Sequence, residues 1–165
     1  MKTYLTIVIL FSFFVLYGFT DSPEKEQLVI KGFSLGMNKA EVKKVYEQFE
    51  KDKVAEYISI ENEKYRDLIK LDHELSSMGN KIEIEYDESG KAKNITFQYK
   101  TVDILFEASN MEAEEMVKEI ENKYNLSKLE YQDLGMVKTW TYINEELKYK
   151  ITVDDYKNVK LQRID

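Results

Sequence analysis

The chain has 165 residues, 43% hydrophobic and 33% charged, the profile of a folded globular domain and not of a disordered tail. A formal net charge of −7, and arginines only at Arg66 and Arg163, argue against nucleic acid as a partner and leave no arginine fork for phosphate. The absence of cysteine excludes disulfides, thiol nucleophiles and cysteine-bound zinc.

Residues 1–20, "MKTYLTIVILFSFFVLYGFT", place Lys2 ahead of an apolar run over 4–19. At helical rise that run spans roughly 24 Å, short of a bilayer core of about 30 Å, so the segment reads as a secretory signal peptide. Gly18 and Thr20 before Asp21 make only an approximate small-x-small cleavage site, and an uncleaved N-terminal anchor is the alternative. The expected location is therefore exported, periplasmic or extracellular, with membrane contact only through this segment if it is retained. A linker and lead-in follow over 21–30, containing the only proline, Pro23.

The run "GFSLGMNKAEVKKVYEQF" begins at Gly32 and opens a helix. Asn38 is the expected N-cap and Glu41 its capping-box partner, while Val42, Val45, Tyr46 and Phe49 fall on one helical face. Further on, "SNMEAEEMVKEIENKY" repeats that grammar with Ser109 as cap, Glu112 at the third position, and Ala113, Met116, Val117 and Ile120 as the buried stripe. Each position lies 71 residues after its counterpart.

After each helix come strand patterns. Ile82, Ile84 and Tyr86 alternate with charged residues, 87–91 forms a turn, and Ile95, Phe97 and Tyr99 resume the alternation. Leu147, Tyr149, Ile151 and Val153 alternate in the same way, 154–158 turns, and Val159 and Leu161 return. Further strands are expected over 129–133 and 136–142, with Trp140 and Tyr142 on one face, and over 54–60. Residues 65–75 fit either a strand or a helix. Internal duplication is the simplest account, giving an α+β fold of two tandem repeats over 31–100 and 101–165, each one helix packed on about four antiparallel strands.

Chemistry-bearing candidates are few. His73, the only histidine, stands between Asp72 and Glu74, and neighbours on a strand point to opposite faces, so it reads as a solvated residue. Only three or more carboxylates meeting around it would support a metal-assisted hydrolase. Asp87 with Glu88 and Asp154 with Asp155 fall in the hairpin turns and lack the D-x-D-x-D-G pattern of a calcium loop, so turn chemistry accounts for them. Gly32 and Gly36 lack the remaining elements of a phosphate loop. No catalytic residue, metal ligand or cofactor is assigned. The remaining signal is aromatic: twelve tyrosines and one tryptophan. Tyr99, Tyr131, Trp140, Tyr142 and Tyr149 are the candidate contact residues for another protein, because such side chains combine apolar area with a polar handle.

The run "GFSLGMNKAEV" resembles the opening of small envelope proteins of the SmpA/OmlA type, and also the repeat unit of the β-lactamase-inhibitor-protein fold. The resemblance implies helices on an antiparallel sheet, an envelope location and a habit of binding proteins. The lipid-accepting cysteine of the first family and the disulfides of the second are absent, so neither outer-membrane assembly nor β-lactamase inhibition carries over to particular residues. The expected function is an exported, non-enzymatic module that binds another protein through an aromatic-rich sheet face. The alternative is a periplasmic small-ligand or peptide-binding protein using the groove between the repeats.

Overall fold

The computed structural model describes residues 27–55, 58–71 and 79–164. The expected signal peptide, His73 with its acidic neighbours, and Tyr57 lie outside them.

Eight strands form one antiparallel sheet: β1 (Ser59–Asn62), β2 (Arg66–Lys70), β3 (Lys81–Tyr86), β4 (Ala92–Phe97), β5 (Glu130–Asp133), β6 (Lys138–Asn144), β7 (Tyr149–Asp154) and β8 (Val159–Arg163), in the spatial order β1-β2-β3-β4-β8-β7-β6-β5. Among the described residues three helices accompany it: α1 (Lys39–Lys51), α2 (Tyr99–Phe106) and α3 (Ala113–Lys123). Among the described residues no helix is long and apolar enough to cross a membrane.

The two-repeat architecture expected from the sequence is corrected by this topology. β4 pairs directly with β8, from Asn94↔Gln162 to Phe97↔Val159, so the strands belong to one continuous sheet with one core. The described residues are sheet-rich, with three helices and not two. Residue Tyr99, read as a continuation of the β4 alternation, instead begins α2. Nor does Ser109 cap a helix: α3 begins at Ala113 with Glu112 in the cap position and no side-chain cap bond. The reason is local, since Glu107 ends α2 in the left-handed conformation and residues 108–111 form a turn closed by Met111 N–H to the Ala108 carbonyl.

α1 begins as its sequence dictates. The Asn38 carboxamide oxygen accepts from the amides of Ala40 and Glu41 at 2.9 and 3.0 Å, and the Glu41 carboxylate accepts from Asn38 N–H at 2.7 Å. Such a cap is worth about 1 kcal/mol. Val42 and Phe49 are buried, while Val45 and Tyr46 are half-buried. Ahead of the helix, Ile30 and Phe33 exchange backbone bonds across a turn whose central residues, Lys31 and Gly32, both have positive φ, as a tight hairpin requires.

The core lies between the helices and one face of the sheet. Ile82, Ile84, Ile95, Phe97, Ile151, Val153, Val159 and Leu161 point into it, as do Met116, Val117 and Ile120 of α3. Burying such side chains stabilises by about 1.5–3 kcal/mol each. Phe33 meets Phe49 and Phe97 edge to face at 5.8 and 5.9 Å, and Phe97 meets Phe106 at 6.0 Å, so α1, β4 and α2 are joined by one chain of rings.

Candidate ligand-binding cleft on the open face of the sheet

Strand alternation that sends one set of side chains into the core sends the other to the face that the described helices leave uncovered. Across the middle of that face, Thr96 of β4 opposes Lys160 of β8, Lys160 opposes Thr152 of β7, and Thr152 opposes Thr141 of β6. The Thr152 and Thr141 hydroxyls lie 3.4 Å apart. Thr139 opposes Asp154 in the next layer.

Thr96, Thr139, Thr152, Asp154 and Lys160 floor a cleft of about 620 Å³. Its walls come from Gly79, from Gln98 and Tyr99 at the start of α2, from Val137, and from Tyr156 and Asn158 in the β7–β8 turn. The turn is held by Asp154. Its Oδ1 accepts from the amides of Tyr156 and Asn158 at 3.0 and 2.8 Å, and its Oδ2 accepts from Asn158 Nδ2 at 2.8 Å. Asn158 Oδ1 in turn accepts the Tyr99 amide at 2.9 Å, tying the turn to the first residue of α2. Lys157 completes the joint, donating to the Asp103 carboxylate at 2.6 Å and to the Ala108 carbonyl at 2.9 Å.

Two polar groups of the lining residues are unmatched. Lys160 has no ion pair among the described residues. The carboxamide oxygen of Gln98 is buried with no hydrogen-bond donor. That oxygen is closed to solvent, so it is not a contact the cleft offers. Asp154, by contrast, is already engaged by three donors. Among the described residues the cleft therefore presents one cation without an ion pair, threonine hydroxyls and two tyrosine side chains, groups that can bind and orient a small molecule.

The candidate aromatics are distributed differently from an outward-facing patch. Trp140 and Tyr149 are buried on the helix-covered face. Tyr131 packs on Trp140 with ring centroids 5.4 Å apart and is half exposed at the sheet edge, and Tyr142 packs on Tyr149 at 6.1 Å. Tyr142 and Tyr149 line a separate groove of about 450 Å³ with Tyr124 and Leu28. Burial raises the Tyr149 hydroxyl above its ordinary pKa. Of the five, only Tyr99 reaches the open-face cleft. Sequence reasoning missed Lys160, Gln98, Thr96, Thr139 and Thr152; for the strand residues the only signal was their place at polar positions of β4, β6, β7 and β8, between the core-facing residues.

The first acid of each turn pair, Asp87 and Asp154, serves its turn. Asp87 Oδ1 accepts from the Ser89 amide and hydroxyl and from the Lys91 amide, and its Oδ2 accepts from Arg163 at 2.7 Å. Among the described residues no group of three His, Cys, Asp or Glu converges on a metal-sized site. A further polar cluster lies on the helix side: Asp67, 3% exposed, accepts from Tyr86 Oη at 2.6 Å and from Lys39 at 2.9 Å. Burial, and then the bond to Asp67, push the Tyr86 hydroxyl far above its ordinary pKa. This cluster fastens α1 to β2 and β3 and does not open on the cleft.

Comparison of the chain with family models, with curated proteins and with solved structures finds no match.

Proposed function

We propose that the protein is an exported, non-enzymatic binding protein that takes a small ligand or short peptide in the open-face cleft. The observation that carries this reading is the concavity of about 620 Å³ at the β4–β8 junction, lined by threonine hydroxyls, two tyrosines and a lysine with no ion pair among the described residues. Its size falls in the range, about 300–1,000 Å³, of sites that hold small organic molecules. The lining supplies binding groups, and its one carboxylate is held by the turn. Export rests on the apolar run over 4–19 behind Lys2.

Filling the cleft tests the reading. A panel of short peptides and small metabolites is screened for stabilisation of the wild-type protein and of Thr152→Trp. A specific ligand raises the wild-type melting temperature with concentration and leaves the filled variant unchanged. Equal stabilisation of both proteins by every active compound places binding elsewhere and ends the proposal.

A second reading, docking on another protein, rests on the β5–β6 hairpin. Leu134 and Met136 at its tip are 66% and 92% exposed, Tyr131 on β5 is half exposed, and among the described residues β5 has β6 as its only neighbour in the sheet. An extended segment added to β5 would cover this edge, and Glu130 and Asp133 favour a basic one. Photo-crosslinking from position 136 and from position 152 separates the two readings: protein adducts from position 136 alone support the edge, and small-molecule adducts from position 152 support the cleft.

A further inference from the structure

We infer that Lys31 is a carbamylation site: its amine takes up dissolved carbon dioxide, and the ammonium of Lys123 holds the carbamate that forms. The inference is independent of the open-face cleft.

It starts from a contact between two lysines. Lys31 stands in the turn between Ile30 and Phe33, Lys123 is the last residue of α3, and their side chains are joined by a hydrogen bond. Two ammonium groups cannot make that bond, because each has only donors to offer, so one of the two amines is neutral. The carbonyl end of α3 favours the cation on Lys123, which leaves Lys31 as the neutral partner. Burial, and then Lys123, lower the Lys31 amine to about 8, in agreement with this assignment.

The surroundings suit a small apolar reactant. Lys31 Nζ lies 4.7 Å from the centroid of Phe106, the last residue of α2. The Lys31 side chain is half-buried, and Lys123 beside it is exposed. One flank of the nitrogen is thus apolar and the other is open to solvent, so an uncharged triatomic molecule can reach it.

Charge selects the product. Among the described residues neither amine has an ion pair, and the carboxylate of Glu107 acts on Lys31 only through space. Two basic groups therefore meet with no anion in contact. In the reaction the Lys31 lone pair attacks the carbon of carbon dioxide and an N–C bond forms. One C–O π pair moves onto oxygen, and a proton leaves the nitrogen for water. The carbamate carries one negative charge beside Lys123, so two groups that repel when both are protonated become an ion pair with charge-assisted hydrogen bonds. The new pair fastens the end of α3 to the turn ahead of α1.

The test equilibrates the full chain with isotope-labelled bicarbonate at about pH 8, traps carbamates by O-alkylation with a trialkyloxonium salt, and locates the modified lysines by peptide mass mapping. Trapped product at Lys31 is expected to exceed that at exposed Lys43 and Lys118 by about tenfold or more, because about half of the Lys31 amines are neutral there against under about 1% for an ordinary lysine. Lys123→Met is expected to reduce the product at Lys31 several-fold, and Lys123→Arg to preserve it, since arginine keeps the cation. The wild-type comparison needs no variant, so poor folding of either one does not remove the test. Product at Lys31 no greater than at Lys43 and Lys118 overturns the inference. Losses of equal size in Lys123→Met and Lys123→Arg also overturn it, because they remove the cation from the account.

Discussion

Tyr99 packs its ring directly on Gly79: a Cβ at Gly79 would lie 2.0 Å from Tyr99 Cε1. Gly79 also has φ +86°, a conformation that side chains disfavour. Gly79→Ala therefore meets two costs at once, strain of about 1–2 kcal/mol from the backbone and displacement of the ring that walls the cleft. Urea unfolding is expected to show at least the backbone loss, with chemical-shift changes at Tyr99 and Gln98. Unchanged stability and unchanged shifts would mean that the ring does not lie there.

Lys157 holds the β7–β8 turn to α2 through Asp103 and the Ala108 carbonyl, and the Lys157 and Asp103 side chains are mostly buried. Lys157→Ala is expected to cost about 1.5–3 kcal/mol, as for hydrogen bonds to charged groups. In a double-mutant cycle with Asp103→Ala the two losses should fall short of additivity by about 0.5 kcal/mol or more. Strict additivity would show that the pair contributes nothing.

These two joints illustrate what the sequence made legible and what it did not. The hairpins β3–β4 and β7–β8 were readable because Ile82, Ile84 and Tyr86, and then Tyr149, Ile151 and Val153, alternate with polar residues along a half-buried strand. α2 was not readable. Tyr99 continues the alternation of Ile95 and Phe97, yet the ladder with β8 ends at Phe97↔Val159, and the chain turns into a helix that buries Thr101, Val102 and Leu105. The capping box at Asn38 was visible because its two bonds are local. The matching pattern at Ser109 carried no such bonds, since the end of α2 occupies the preceding residues. The cleft was hidden for a different reason. Its floor depends on which strand lies beside β4, and no local periodicity encodes the β4–β8 pairing that brings Thr96 to Lys160.

Asp87 gives the protein an acid-sensitive joint. The bond from the Ser89 hydroxyl, followed by the Lys91 amide and Arg163, holds its carboxyl far below the ordinary range. A folded-state pKa below the unfolded value, about 3.9, contributes stability that is fully present above that pH and is lost as pH falls below it. Wild-type stability is expected to decline through this acid window more steeply than that of Asp87→Asn. Parallel acid limbs would remove Asp87 from the account.

Lys31 is the opposite case. Burial, and then the neighbouring Lys123, lower its amine to about 8. The amine also lies 4.7 Å from the centroid of the Phe106 ring. Because the unfolded chain holds this proton up to about pH 10.4, it binds more protons than the folded chain between the two values, and stability should rise with pH across that window. Lys31→Met should flatten the rise. At pH 8 about half of the Lys31 side chains are neutral, whereas an ordinary lysine is almost entirely charged, so Lys31 should be among the first lysines acylated by a limiting amine reagent, as read by peptide mass mapping. Labelling at Lys31 no faster than at exposed Lys43 or Lys118, together with an unchanged pH profile in the variant, would contradict the buried amine.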